Sequence, residues 1–141
     1  MKRPKKKKVK HLIYTSRPVG FDDNIVIGIL ESSRRNNIKS DITGALLYRQ
    51  DLYFQFLEGP EDEIDKTYKR IMEDTRHTDV YNLKESVSNR RLFSSWAMRG
   101  DPLKTWMWSH DQVKDGIMKR LSREESLAVF EKLSRDVDQF N

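Results

Sequence analysis

Uncharged polar side chains occupy positions where the surrounding sequence pattern favours apolar residues. Gln55 lies between two phenylalanines in YFQFLEGP, and Tyr14 alternates with apolar residues in HLIYTS. Ser33 and Asn37 continue, at helical spacing, the apolar stripe to which Ile29 belongs. A phenol and two amides are hydrogen-bond donors and acceptors without being strong acids or bases. The set suits a flat heteroaromatic ligand held between helices and a sheet, and favours recognition or electron transfer over hydrolysis.

An ordinary structural interpretation stays open for each of these positions. Gln55 would face water, because a buried amide without partners costs roughly 1–3 kcal/mol, and Tyr14 would be a core residue. Asn36 and Asn37 would simply end the first helix, since asparagine tolerates left-handed backbone. His77, in DTRHTD, is a candidate general base, but after a helix it is more often a structural hydrogen-bonding group.

Several classes of enzyme site have no counterpart in the sequence. The three histidines are far apart and form no HExxH-like pair, which argues against a catalytic metal site. No GxSxG, P-loop or GxGxxG motif is present. The absence of cysteine excludes a disulfide framework, a thiol nucleophile and thiolate metal ligands. We therefore expect a protein that is not an enzyme.

The net charge of +5 comes from one end of the chain. Residues 1–10 hold seven of the 27 basic residues, which leaves 20 basic and 22 acidic residues in the rest. We expect a disordered basic tail and a folded body that does not bind nucleic acid. No apolar run approaches the roughly 20 residues of a membrane span, and no secretory signal is present, so we expect a cytoplasmic protein without membrane contact.

Hydrophobic periodicity predicts five strands and two helices ahead of a C-terminal segment. The strands are predicted over residues 11–16, 42–48, 52–59, 81–88 and 92–100, and the helices over 21–37 and 61–74. The order β-α-β-β-α-β-β predicts an α+β fold in which both helices pack on one face of a mixed sheet. We place Met72 on the apolar face of the second helix, RHTDV in a loop, and Trp96 and Met98 on one face of the last strand.

The C-terminal segment carries two capping boxes. Ser109 with Gln112 and Ser122 with Glu125 have the required spacing and predict helices near 110–120 and 123–138. This helical pair is expected to cover the second face of the sheet. Trp106 and Trp108 precede the pair, and either pack on the sheet or line a subunit interface.

Five segments of the chain together resemble the BLUF domain, a flavin-binding blue-light sensor. They are LIYTS, ESSRRNNIKSDITGALLY, FQFLEGP, DTRH and RLFSSWAM, and they match in order from about Leu12 to Met98. The resemblance implies a ferredoxin-like sheet with FAD, or alternatively FMN, bound noncovalently between the two helices. Asp41 replaces the usual glycine before the ITG run, and the basic tail lies outside the family pattern.

The resemblance also implies roles for individual residues. Tyr14 matches the photoactive tyrosine that gives an electron and a proton to excited flavin. Gln55 matches the glutamine whose hydrogen bonds then rearrange, and Trp96 and Met98 match residues that carry the signal out of the pocket. The implied cofactor-binding residues are Ile29, Ser33, Asn36, Asn37, Arg70 and His77.

The expected organisation is a tail over residues 1–10, a flavin-binding domain over 11–100 and a C-terminal output segment over 101–141. Because no cyclase or phosphodiesterase sequence follows, we expect a short stand-alone BLUF protein that signals to a separate effector protein. A homo-oligomer is compatible with this arrangement. The alternatives are a flavin-binding or adaptor module without photochemistry, and nucleic-acid binding through the lysine-rich tail.

Overall fold

The computed structural model describes residues 8–103 and 107–139. The first part of the chain forms five strands and two helices: β1 Val9–Pro18, α1 Asp23–Ser40, β2 Thr43–Arg49, β3 Leu52–Gly59, α2 Glu61–Glu73, β4 His77–Ser88 and β5 Arg99–Pro102. The C-terminal part contains α3 His110–Lys114, a 3-10 helix Ile117–Arg120 and α4 Arg123–Gln139. The predicted order β-α-β-β-α-β-β is confirmed.

The five strands form one mixed sheet in the order β4-β1-β3-β2-β5. The β2–β5 pair is parallel, whereas the other neighbouring strands are antiparallel. The predicted α+β, ferredoxin-like arrangement is therefore confirmed. Because successive side chains of a strand face opposite sides, β1 and β3 contribute side chains to both faces of the sheet.

The two faces of the sheet have separate hydrophobic cores. One contains Leu12, Tyr14 and Met98 together with apolar side chains of α1 and α2. The other contains Phe54 and Phe56, packed against the C-terminal helices. The Phe130 ring of α4 lies 4.8 Å from the Phe54 ring and 5.4 Å from the Phe56 ring, between ring centres. The C-terminal helices thus cover the second face, as predicted.

Helix α1 begins and ends later in the chain than the sequence pattern predicts. It begins after Asp22, whose carboxylate accepts a hydrogen bond from the Ile25 backbone N–H at 2.8 Å. It continues through Asn37 to Ser40, so the interpretation that the asparagines end the helix is wrong. Asp41 takes the left-handed backbone (φ 57°) that follows the helix. Glycine adopts this conformation most readily, and residues with short polar side chains, such as aspartate, come next.

Four local predictions need correction. Met72 is 53% exposed instead of lying on the buried face of α2. Most of RHTDV is strand, because β4 begins at His77. The last strand covers only Arg99–Pro102, and residues 90–98 have irregular backbone. The predicted tail over residues 1–10 also overlaps β1, which begins at Val9.

The C-terminal capping boxes both form, but only the second starts a long helix. The Ser109 and Gln112 side chains make their reciprocal bonds, and those of Ser122 and Glu125 do the same. Helix α3 nevertheless stops at Lys114, because the left-handed Gly116 (φ 87°) separates it from the 3-10 helix. The continuous helix predicted over 110–120 is therefore wrong.

The Trp108 ring packs edge-on against the Phe54 ring, with 5.6 Å between the centres, which supports sheet packing for this tryptophan. Trp106 lies outside the described residues. Among the described helices, none is long and apolar enough to cross a membrane.

Candidate functional site

Tyr14 and Gln55 form a buried hydrogen-bonded pair at the centre of the sheet. The β1–β3 register places them directly opposite each other, and they are 4% and 3% exposed. The Tyr14 hydroxyl donates to Oε1 of Gln55. Burial raises the pKa of the Tyr14 phenol above its ordinary value. The site therefore holds a neutral phenol whose proton points at an amide oxygen.

The other end of the Gln55 amide contacts Met98. Gln55 Nε2 donates to Met98 Sδ at 3.3 Å, and the Met98 side chain is 1% exposed. A thioether is a weak acceptor, so the two ends of the amide have partners of unequal strength. Gln55 thus joins the phenol of β1 to the segment that precedes β5.

Trp96 and Met98 lie on opposite faces of the sheet, so the prediction that they share a face is wrong. Met98 belongs to the core beneath α1 and α2, whereas Trp96 packs against the core beneath the C-terminal helices. The Arg99 guanidinium lies 5.3 Å from the centre of the Trp96 ring. The alternation predicted for a strand fails because residues 90–98 are irregular.

Two side chains of α1 hold the backbone that leads to Met98. Asn37 Nδ2 donates to the Ala97 carbonyl at 2.8 Å, and Arg34 Nε donates to the Met98 carbonyl at 2.9 Å. Asn37 is 2% exposed although it lies on a helix. The Asn37 amide therefore tethers α1 to the backbone at Ala97 by this hydrogen bond, and the same residue lines a cleft beside α1 and α2.

A cleft of about 230 Å³ opens beside α1 and α2, and a smaller cavity of about 50 Å³ adjoins it. Both cavities are lined by Ser33 and Gln55. The predicted cofactor-binding residues all line one or both: Asn36, Asn37 and Arg70 the cleft, Ile29 and His77 the inner cavity, and Ser33 both. Tyr14 lines the inner cavity.

His77 has a structural hydrogen-bonding arrangement. Its Nε2 lies 2.6 Å from the Ile71 carbonyl, which can only accept, so Nε2 donates. The other nitrogen, Nδ1, lies 2.7 Å from Ser16 Oγ and accepts from that hydroxyl. Both nitrogens are thus engaged, and His77 links the end of α2 to β1.

The sequence interpretation missed two parts of the cavity wall. Asp74 and Arg76 form an ion pair with a shortest N–O distance of 2.5 Å, and the hydrogen bond from Arg76 lowers the pKa of the Asp74 carboxyl. Tyr53, 3% exposed, lines the inner cavity. The two-residue alternation from Gln55 back to Tyr53 was a signal that could have identified it.

Glu58 is a fourth missed residue, and it lies on the opposite side of β3 from Gln55. It is fully buried and accepts from the backbone N–H groups of Leu92 and Phe93 at 2.6 and 2.8 Å, and from Thr43 Oγ1 at 2.8 Å. These bonds fix the start of the irregular segment that ends at Met98. No sequence motif indicates this role, because the donors are backbone groups more than thirty residues away.

Within the described residues, no cluster of histidine, aspartate or glutamate side chains could hold a metal ion. The groups lining the cleft are instead amides, hydroxyls and guanidinium groups with one carboxylate. Such groups bind a heteroaromatic ring and its phosphates by hydrogen bonds and charge.

Comparison with known proteins identifies one matching family and several relatives. The BLUF family, described as sensors of blue-light using FAD, matches residues 9–99. A photoactivated adenylate cyclase subunit beta of Euglena gracilis is 38% identical over 71 residues, covering 50% of this chain and 8% of the cyclase subunit. The blue light- and temperature-regulated antirepressor BluF of Escherichia coli K12 is 36% identical over 66 residues, 47% of this chain and 16% of BluF.

Solved structures agree with this fold. The dark-state structure of the BLUF protein BlrB has a TM-score of 0.77 and 25% identity, with 92% of this chain and 97% of BlrB covered. A bacterial light-regulated adenylyl cyclase has a TM-score of 0.64 and 31% identity, with 93% of this chain and 36% of the cyclase covered. The chain thus spans less than a fifth of these curated relatives but nearly the whole of BlrB.

Proposed function

The chain belongs to the BLUF family of blue-light sensors that use flavin, and we propose that Tyr14 and Gln55 are its photoactive pair. The observation that carries this proposal is the buried chain of contacts from the Tyr14 hydroxyl through the Gln55 amide to Met98 Sδ. It runs beside a cavity large enough for a ligand group and ends in a segment that reaches both faces of the sheet.

The proposed cofactor is FAD, with FMN as the alternative. The donor set fits flavin, because Ser33, Asn36, Asn37 and Gln55 offer hydroxyl and amide groups to an uncharged ring edge. Arg70 lies at the exposed part of the cleft, where a guanidinium would bind phosphate. Flavin supplies a chromophore that absorbs blue light and is a strong oxidant in its excited state.

The side chains of this protein determine where the proton of the donor goes. Tyr14 keeps its proton on Oη in the resting state because burial raises the pKa of the phenol. Loss of an electron makes a phenol strongly acidic, and Gln55 Oε1 is the acceptor already bonded to it. Return of the electron and the proton restores the Tyr14 phenol, and a half-turn of the amide exchanges Oε1 and Nε2, so that a different atom faces Met98. These groups position the proton and report its movement.

The proposed output runs through residues 96–98. Met98 contacts Gln55 on the cofactor side, and Trp96 packs on the side of the C-terminal helices. A shift of this short backbone would therefore be felt by both layers. We propose a flavin-binding domain over residues 11–100, an output segment over 101–141 and a separate effector protein in the cytoplasm.

The test is an absorption spectrum of the purified chain before, during and after blue light. We expect a yellow protein whose flavin band shifts to longer wavelength in light and returns in darkness. Flavin released by denaturation and separated by chromatography distinguishes FAD from FMN. Tyr14→Phe should bind flavin but show no light-induced shift. Its matched control is Tyr81→Phe, which alters a tyrosine that is 41% exposed and does not line the cavity.

A colourless protein would refute the proposal. A yellow protein without a light-induced shift would support a flavin-binding module without photochemistry. Hydrogen exchange in light and darkness tests the output path. We expect residues 96–98 and 107–139 to exchange faster in light, and equal exchange of residues 107–139 in both states would refute this path.

A further inference from the structure

The Tyr53 hydroxyl is a buried polar group without a hydrogen-bond partner in the described structure. Burial raises the pKa of its phenol, and the charges of Arg76, Asp74 and Asp22 act on it as well. An unpaired buried hydroxyl costs free energy, so native structures seldom retain one without a ligand or water. Its place in the inner cavity makes it a candidate ligand contact.

Asp74 and His77, which line the same cavity, bond to groups other than this hydroxyl. Both Asp74 carboxylate oxygens accept from Arg76. Both His77 nitrogens are bonded, to Ser16 and to the Ile71 carbonyl. Within the described residues, the Tyr53 hydroxyl is thus an unpaired donor on a side chain that lines the inner cavity.

The two buried phenols, Tyr14 and Tyr53, differ in their hydrogen bonding. Tyr14 donates to Gln55 inside the protein, whereas Tyr53 has no such acceptor. Tyr53 lies two residues before Gln55 on β3, and therefore on the same face of the sheet. The inner cavity shares Ser33, Gln55 and Arg76 with the cleft. A ligand held in the cleft can therefore reach Tyr53.

We propose that Tyr53 is a further flavin-binding residue, whose hydroxyl donates a hydrogen bond to an acceptor atom of the flavin. This inference rests on the proposed function, since it requires flavin in the cleft. The acceptor belongs either to the ring system or to the ribityl and phosphate chain, both of which carry oxygen acceptors. The proposal assigns binding and not electron donation to Tyr53, because within the described residues its hydroxyl has no acceptor that could take its proton.

The test compares Tyr53→Phe with Tyr81→Phe and the unaltered chain, in two measurements. Flavin affinity is measured by fluorescence titration of the flavin-free full chain with FAD, riboflavin and lumiflavin. Thermal unfolding of the same flavin-free chain is followed by circular dichroism. The second measurement does not depend on light or bound flavin, and it shows whether the variant is folded.

The two measurements should change in opposite directions. Removing the hydroxyl weakens FAD binding about three- to tenfold, the size of one hydrogen bond. The same change raises the unfolding temperature of the flavin-free chain by about 2–5 °C, because an unpaired buried group is removed. Weakening that includes lumiflavin locates the acceptor on the ring, whereas weakening with riboflavin and FAD alone locates it on the chain.

Equal affinity of Tyr53→Phe and the unaltered chain for all three flavins would overturn the inference. A lower unfolding temperature of the flavin-free variant would also overturn it, because the hydroxyl would then be satisfied by water. Either result leaves the proposed photoreceptor intact if the unaltered chain binds flavin and shifts in light. Failure of the unaltered chain to bind flavin would instead refute the proposed function itself.

Discussion

The Tyr14–Gln55 hydrogen bond can be measured by a double-mutant cycle. Tyr14→Phe leaves the buried Gln55 oxygen without its donor, and Gln55→Leu leaves the buried Tyr14 hydroxyl without its acceptor. Each single variant should lose about 1–3 kcal/mol of unfolding free energy, the cost of one unsatisfied buried group. The double variant leaves no unpaired group at this contact, so its loss should be smaller than the sum of the single losses by about 1–2 kcal/mol.

The assay is urea unfolding of the flavin-free chain, so that ligand binding does not contribute to the measured stability. The flavin-loaded variants are then illuminated, and we expect no light-induced shift from either single variant. Tyr81→Phe is again the control, with unchanged stability within about 0.5 kcal/mol and an unchanged shift.

A coupling energy within about 0.5 kcal/mol of zero would show that the two groups do not form this bond in solution. A Tyr14→Phe variant that still shifts in light would refute the assignment of Tyr14 as donor, whatever the coupling energy. The two readouts therefore test the contact and its role separately.

Three further predictions concern the surroundings of this pair. Glu58→Gln should lower the unfolding free energy measured in urea by about 2–4 kcal/mol, because the amide has only one acceptor oxygen for the three donors that bond to the buried carboxylate. Unchanged stability of this variant would contradict the prediction. Asn37→Ala frees the Ala97 carbonyl, so we expect faster dark recovery by absorbance, and an unchanged rate would exclude this tether from the photocycle. Above pH 10 the unfolding free energy should fall, because unfolded tyrosine ionises while Tyr14 keeps its proton; Tyr14→Phe should fall less steeply, and an identical slope would refute the shift.

Alternation along the two central strands predicted that Gln55 faces away from Phe54 and Phe56. On a strand, successive side chains face opposite sides, so Gln55 had to share a face with Tyr53 and differ from Phe54 and Phe56. The opposite placement of these residues in the structure follows this rule. Alternation could not decide which face held the cofactor site, and the resemblance to BLUF domains supplied that choice.

The segment from residue 90 to 98 could not be predicted from local pattern. Its backbone groups bond to Glu58 of β3, to Asn37 and Arg34 of α1, and to Gly44 of β2, none of which is near in sequence. A strand pattern was assumed, and it placed Trp96 and Met98 together. Because the real partners are distant side chains, the two-residue period does not apply there.

The unequal partners of Gln55 explain how a small change at the phenol could move this segment. In the present orientation Oε1 accepts from a phenol, whereas Nε2 donates only to a thioether. Turning the amide therefore breaks one strong and one weak bond, and Nε2 can donate to the phenol oxygen afterwards. The oxygen turned toward Met98 would find no donor in the thioether, so the methionine would have to move. Since Arg34 holds the Met98 carbonyl, that movement would be transmitted to α1 and to the backbone that carries Trp96.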